Sequence, residues 1–327
     1  MDSNTSEKTE SYIQGMKINE MPSVAVLMSS YNGEKYIEEQ IESILNQKNV
    51  RVELFIRDDG STDDTITILQ KYKSDNCIHI TIGEENIGPA NGFMQLLYHI
   101  DGFDYYSFAD QDDIWIENKL FMAINILKEH ETPALYCSNQ IIYKNGKQCG
   151  LRYKEKLNLS LVATLFSNQV SGCTMVLNKA LASALRQEGA RPRSKVLAMR
   201  MHDTWVITAA YAIGTVIYDS NSYILYRVHE GNTVGTKNDD MSLVSRLKLV
   251  VIAFKSKQNL NYRSVYAAEL LRCFPELKDG EKTKLELLAT YKKSIKAKVS
   301  LLRNKKIQIE SGESGIAYKA KILMNII

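Results

Sequence analysis

Three carboxylates fall within the four residues Asp110-Gln111-Asp112-Asp113. Carboxylates that close repel one another. A hard cation such as Mg²⁺ or Mn²⁺ relieves the repulsion, because such ions take oxygen ligands and usually bind through one or two carboxylates plus substrate phosphates. The chemistry expected of the cluster is the tethering of a diphosphate-bearing substrate through a divalent cation. A solvated acidic turn is the plain alternative, and position favours the site. The cluster follows the apolar run Tyr105-Tyr106-Ser107-Phe108-Ala109 and precedes Ile114-Trp115.

Two further segments have the same character. Asp58-Asp59-Gly60-Ser61 has the composition of a turn, yet it closes the apolar run Val52 to Ile56. Carboxylates at a strand end can accept hydrogen bonds from a nucleotide base or from ribose hydroxyls. Ser29-Ser30-Tyr31-Asn32-Gly33 follows Val24-Ala25-Val26-Leu27-Met28 and offers hydroxyls and a ring over which a base can lie.

The elements that position these groups follow from periodicity. Val24 to Met28 is a continuous apolar run, as a strand buried on both faces requires. Ile37, Ile41, Ile44 and Leu45 then recur at helical spacing, before a second strand over 52–56. Strand, helix and strand in that order predict a crossover and a parallel sheet. The alternation continues with a helix carrying Ile66, Leu69 and Tyr72, capped by Thr62 or Asp63. A strand over 78–82, a helix over 93–100, a strand over 105–109 and a helix carrying Leu120, Ile124 and Leu127 follow. Three strands thus release polar, mostly acidic residues at their C-terminal ends, the edge at which open α/β sheets bind ligands. Later strands are expected over 174–177, 215–218 and 223–228. The fold class is α/β, a Rossmann-like and mostly parallel central sheet with a helical C-terminal extension.

Three regions are expected: a loose leader over 1–21, one large domain over 22–240 and a basic helical extension over 241–327. The chain has 327 residues, 44% of them hydrophobic, enough for a full core. Its charge of +3 hides an asymmetry, since residues 241–327 hold eighteen Lys and Arg against seven Asp and Glu. That segment carries +11 and leaves about −8 on the rest. A solvated helical surface accounts for the excess. So does attraction to anionic lipid head groups, at about 1 kcal/mol per basic residue near the surface. Lys292 to Ile309 interleaves Lys with apolar residues and predicts an amphipathic, surface-lying helix. No run of about 18 uncharged apolar residues is present and the first twenty residues are polar and acidic, so neither a membrane span nor a signal peptide is expected, and the protein is expected in the cytoplasm. Five scattered cysteines predict reduced, mostly packed thiols.

Together, "SVAVLMSSYNGEKYIEEQIESIL", "FIRDDGSTDDT", "NIGPANGF" and "FADQDDIW" resemble the family-2 glycosyltransferases, whose domain is the GT-A nucleotide-sugar fold. The resemblance runs from about Pro22 to Gly235. It implies that Ser29, Tyr31 and Asp59 hold the nucleoside, with Asp58 and Gln111 in the same nucleotide-sugar site. Asp110 falls to the ribose or metal environment, and Asp112 to the cation bridging the diphosphate. The family's general base is an Asp opening a helix in the second half. "MHDTWV" matches, which makes Asp203 the expected base; an N-cap Asp is the alternative. "YRVHEGNTVG" resembles a late segment whose His completes the metal site, which makes His229 an expected ligand, with an ordinary surface or core His as the alternative. "FADQDDIW" with a His-Asp pair is similar to the rhamnose-transferring subset, although Thr204 here precedes a single Trp205.

The resemblance therefore implies an inverting transfer dependent on Mn²⁺ or Mg²⁺. The donor expected is a dTDP-linked 6-deoxysugar such as L-rhamnose, with a UDP-hexose or UDP-N-acetylhexosamine as runner-up. The acceptor is a hydroxyl of a bacterial surface polysaccharide on a lipid carrier, reached at the inner face of the membrane, and no nucleic acid is involved. Two other classes, a nucleotidyltransferase and a non-catalytic sugar-nucleotide binding module, compete. The first predicts a Gly-rich basic loop after the first strand, where this chain has Ser-Ser-Tyr-Asn-Gly; the second tolerates loss of Asp203.

Overall fold

The structure is a computed structural model and describes residues 21–229 and 262–327. Nine strands form one sheet in the order β3-β2-β1-β4-β8-β6-β9-β5, with β7 paired to β6. β1 (Ser23–Ser30), β2 (Arg51–Asp58), β3 (Ile78–Ile82) and β4 (Tyr105–Ala109) are parallel. The helices α1 (Ile37–Leu45), α2 (Thr65–Gln70) and α3 (Pro89–His99) carry the crossovers between them. The expected strand–helix alternation is thus present up to β4. Helix α3 starts four residues earlier than expected, because Pro89 takes its first position, where a missing N–H costs nothing. Asp64 rather than Thr62 or Asp63 is the N-cap of α2, while the Asp63 carboxylate still accepts the Thr65 N–H.

Period-two alternation divides β1 between two cores. Val24, Val26 and Met28 face α1 and α4 (Lys119–Leu127), while Ala25 and Leu27 face α3 and the helices of the second half. Beyond β4 the pairing turns mixed. β8 (Val176–Asn178) runs antiparallel to both β4 and β6 (Ala134–Lys144), and β6 is parallel to β9 (Thr215–Arg227). β5 (Ile114–Trp115) closes the edge against β9, and β7 (Lys147–Leu151) forms a hairpin with β6. The two strands expected over 215–218 and 223–228 are one continuous strand. β6 was not expected, because Ser138, Asn139 and Gln140 break its apolar run. They are nonetheless buried: Ser138 Oγ donates to Asn139 O, Asn139 Nδ2 to Tyr153 O and Gln140 Nε2 to Cys173 Sγ, and Gln140 Oε1 accepts from Arg152 Nη1.

The remaining helices are α5 (Leu161–Phe166), α6 (Lys179–Arg186), α7 (Ser194–Leu197), α8 (His202–Ile213), α9 (Tyr262–Cys273), α10 (Asp279–Thr290), α11 (Ile295–Arg303), α12 (Lys305–Glu310) and α13 (Gly315–Leu323). α9 to α13 share a hydrophobic core with α5 and α8: Trp205 meets the rings of Tyr266 and Phe274, and Phe166 meets Tyr318. The single amphipathic helix expected over 292–309 is broken at Asn304, whose side chain accepts the Ile307 N–H and starts α12. The boundary expected after Asp240 lies outside the described residues, as do most of the leader and Glu230 to Gly235. All five cysteines are free, three of them buried.

Candidate active site

The C-terminal ends of β1, β2 and β4 open on one edge, into a cleft of about 1300 Å³. Its floor is laced together by short side chains. After β1 the chain turns through Asn32, whose φ of 50° suits Asn among non-glycine residues. Asn32 Oδ1 accepts the Thr62 N–H at 2.9 Å, its N–H donates to Ser61 Oγ at 2.8 Å, and Gly33 N–H donates to Thr65 Oγ1 at 2.8 Å. The Gln111 side chain brackets Tyr31, accepting its N–H at 2.9 Å and donating to its carbonyl at 3.0 Å. A Cβ at Gly33 would lie 2.4 Å from Gln111 Oε1, so the close approach needs that glycine. Ser29 and Tyr31 both line the cleft, and the Tyr31 ring is 45% exposed.

The adjacent aspartates Asp58 and Asp59 differ in their placement. Asp58 is fully buried beneath the cleft, where its carboxylate accepts from Gly60 N–H, Ser61 N–H, Ser61 Oγ and Ser30 Oγ. Asp58, expected in the nucleotide-sugar site, is not among the residues lining the cleft, and its carboxylate holds the two loops together. Asp59 does line the cleft. One of its oxygens lies 3.1 Å from the Arg57 guanidinium, and the other accepts the Gly88 N–H at the start of α3.

The acidic loop after β4 also divides its labour. Asp113 points into the core, where it accepts the Arg227 N–H at 3.0 Å, while Arg227 Nε donates to the Asp112 carbonyl at 2.8 Å. This clasp fixes the loop to the end of β9 and brings His229 against it. His229 Nε2 lies 2.8 Å from Asp112 Oδ2, on the cleft. A carboxylate and an imidazole in contact, beside a second carboxylate at Asp110, form a donor set suited to Mn²⁺ or Mg²⁺. Burial and the neighbouring Asp112 push the Asp110 carboxyl up from its ordinary value, a repulsion that a bound cation would relieve. A second grouping, Asp110, Asp113 and Cys173, also lies within ligand reach. Its thiol and the Asp113 carboxyl are wholly buried, and burial pushes both up towards their protonated forms. A protonated thiol is a poor ligand for a hard cation, so the donor set of Asp112 and His229 fits better.

The opposite wall is the start of α8. Met201 is its N-cap and Asp203 sits within its first turn, so Asp203 is not the cap. Burial raises its carboxyl to about 6, against hydrogen bonds from Thr204 and Asn168 that favour the charged form. Both line the cleft, where the charge of Asp203 helps to raise Asp110. His202 is buried with its ring 4.1 Å from Phe93 and 4.8 Å from Phe108, and burial lowers it to about 3, so it is neutral. Asn168, Gln169, Ser171, Arg152 and Arg200 complete this wall. Sequence reasoning missed all five, and none carries a local signal that would have marked it.

Carboxylates at the ends of parallel strands, with an Asp of raised pKa on the same cleft, make this an α/β protein with a site suited to a sugar nucleotide. Residues 25–186 match the family described as Glycosyl transferase family 2. The dTDP-rhamnosyl transferase RfbG of Shigella flexneri is 32% identical over 229 residues, 68% of this chain and 78% of that protein. The chain belongs to glycosyltransferase family 2 and is a glycosyltransferase. A second relative is the UDP-Glc:alpha-D-GlcNAc-diphosphoundecaprenol beta-1,3-glucosyltransferase WfgD of Escherichia coli. It is 32% identical over 159 residues, 48% of this chain and 61% of that one. In structure the chain is similar to S. aureus TarS residues 1-349, with a TM-score of 0.56 over 93% of this chain and 81% of that one, at 18% identity. A complex of the same TarS fragment with UDP-GlcNAc gives a TM-score of 0.55 over 93% and 82%, also at 18% identity. These likenesses establish the GT-A type of fold.

Proposed function

We propose that the protein transfers a sugar, with inversion, from a nucleotide-diphosphate donor to an acceptor hydroxyl in bacterial surface-polysaccharide synthesis. The observation that carries this reading is that the Asp112–His229 pair and Asp203 line a single cleft. Ser29 and Asp59 hold the nucleoside, the Tyr31 ring covers the base, and Gln111 fixes the Tyr31 backbone so that the ring is presented. Asp110 faces the ribose and the cation. A divalent cation held by Asp112 and His229 would neutralise charge on the departing diphosphate. Asp203 accepts the proton of the acceptor hydroxyl as that oxygen bonds to the anomeric carbon from the opposite face, and no covalent sugar intermediate is required.

RfbG supports dTDP-L-rhamnose as the leading donor, and WfgD supports a UDP-hexose as second reading. Incubation with Mn²⁺ and a panel of dTDP- and UDP-sugars tests both, read as nucleoside diphosphate release dependent on acceptor. Release from no donor, or release unchanged by EDTA, would defeat the proposal.

The acceptor we infer is lipid-linked, and the site of action is the inner face of the membrane. No described helix is long and apolar enough to cross a bilayer. A surface contact has structural support in α11 and the end of α13. Ile295, Val299, Leu323 and Met324 are exposed. Ile295 and Val299 share one helix face, and Lys298 beside them donates to Leu323 O and Asn325 Oδ1. Apolar side chains ringed by lysines suit an anionic lipid surface.

A further inference from the structure

Arg57 is the penultimate residue of β2; its side chain is buried and is not among those lining the cleft. Its Nη2 lies 3.1 Å from Asp59 Oδ1, in a pair whose side chains are 7% and 2% exposed. The same guanidinium reaches the loop after β3. Nη2 donates to the Glu85 carbonyl at 3.4 Å, and a Cβ at Gly83 would sit 2.1 Å from Nη1, so the loop can pass against the guanidinium only because residue 83 has no side chain. That loop ends at Gly88, whose N–H donates to Asp59 Oδ2 at 2.8 Å and to Asn86 Oδ1 at 3.0 Å. Asp59, Asn86, Ile87 and Gly88 all line the cleft. Arg57 thus joins a cleft carboxylate to the loop beside it without itself reaching the cleft.

A buried guanidinium carries a desolvation cost, and here Nε has no partner among the described residues. The contact with Asp59 is ionic rather than a directed hydrogen bond, since Oδ1 accepts none. The loop after β3 is already tied to β2 by the Gly83 N–H, which donates to the Asp58 carbonyl at 2.8 Å. What the guanidinium adds is the orientation of Asp59. With Oδ1 turned to a cation, Oδ2 is the oxygen left to meet a ligand, through a lone pair beyond the one that Gly88 uses. The Asp59 N–H donates to the Ser30 carbonyl at 2.8 Å, which sets this carboxylate beside Tyr31. We propose that Arg57 is a positioning residue for nucleobase selection: it fixes Asp59 so that Oδ2 accepts an imide N–H, the group that uracil and thymine present and cytosine lacks. The inference rests on the reading of Asp59 as a nucleoside ligand and adds the residue that sets its discrimination. A site built to hydrogen-bond one N–H rejects an analogue without it, provided that the acceptor cannot turn away.

The test is calorimetric titration of the full chain, in Mn²⁺, with UDP, dTDP and CDP. The unaltered protein is expected to bind UDP or dTDP at least about tenfold more tightly than CDP. In Arg57→Gln the preferred nucleotide should bind about tenfold more weakly, and its preference over CDP should shrink. Arg57→Lys, which keeps the charge, should recover part of both. A role in stability alone would lower the melting temperature and leave the ratio of CDP to UDP affinity where it was. Asp59→Ala should remove the preference, and adding Arg57→Gln to it should weaken binding little further, because the guanidinium acts through that carboxylate. Should Arg57→Gln not fold, Gly83→Ala displaces the same guanidinium with both charges kept and should relax the preference likewise. An unchanged preference in Asp59→Ala would defeat the nucleoside reading of Asp59, and this inference with it. A preference lost in Asp59→Ala but intact in Arg57→Gln or Gly83→Ala overturns the role of Arg57 alone. So does equal binding of CDP by the unaltered protein, or full additivity in the double variant.

Discussion

At the scale of single residues, the proposed function separates groups that would touch substrate from groups that hold those groups still. Asp112 and His229 meet at 2.8 Å, and each would offer a different ligand type to the proposed ion. Asp112→Ala should lower turnover about 10²–10³-fold by removing stabilisation of the leaving diphosphate. His229→Ala should leave the reaction intact at saturating metal while raising the Mn²⁺ concentration for half-activity about 10–100-fold. A metal titration of initial rates distinguishes them. As the proposed base, Asp203 should set the pH profile. Burial holds its carboxyl at about 6, and the base works only when ionised, so kcat/KM should fall tenfold per pH unit below that value. In Asp203→Asn this acid limb should vanish together with about 10²–10⁴-fold of the rate, while UDP binding persists.

At the scale of elements, α9 is tied to the loop before α7 by Glu269, which accepts from Arg193 and Arg272. Burial disfavours the charged carboxylate, but those hydrogen bonds outweigh it and hold the group at about 2, below its ordinary 4.5. A depressed carboxyl stabilises the native state fully above about pH 4.5 and loses that contribution as pH falls towards 2. The melting-temperature gap between the unaltered protein and Glu269→Gln should be constant above pH 4.5 and close on acidification. Elements of this kind were only partly legible in the sequence. The parallel half was readable because apolar runs stop abruptly at Ser29, Asp58 and Asp110, and a strand's end is where a one-dimensional pattern changes sign. β6 was hidden because its centre is polar and is satisfied by partners far along the chain. Asp58 and Asp59 looked alike because composition does not report which carboxylate turns inwards. Asp203 and His229 were readable only by resemblance, since the sequence around each is equally that of a helix start or a loop. Arg200 and Asn168 gave no signal, because their role comes from the wall they stand on.

At the scale of the whole molecule, the basic C-terminal helices are part of the core rather than a detachable tail. Leu301, Ile307, Tyr318 and Ile322 are all buried in the cluster that includes Trp205. Deleting the segment would therefore test folding, and the lipid contact needs surface substitutions instead. Ile295→Asp with Leu323→Asp should lower binding to anionic vesicles several-fold without moving the melting temperature, and high salt should weaken what remains. Unchanged vesicle binding in that double variant would remove these helices from any membrane role. One further consequence follows from the distance along the chain between Asp112 and His229, 117 positions that the fold closes to a single contact. The turns after β1, β2 and β4 leave the ribosome first, Asp203 follows ahead of β9, and His229 emerges only after that strand. On the proposed roles, a half-made chain lacks both the proton acceptor and the imidazole. Turnover of the donor would then begin only once synthesis is well past its midpoint.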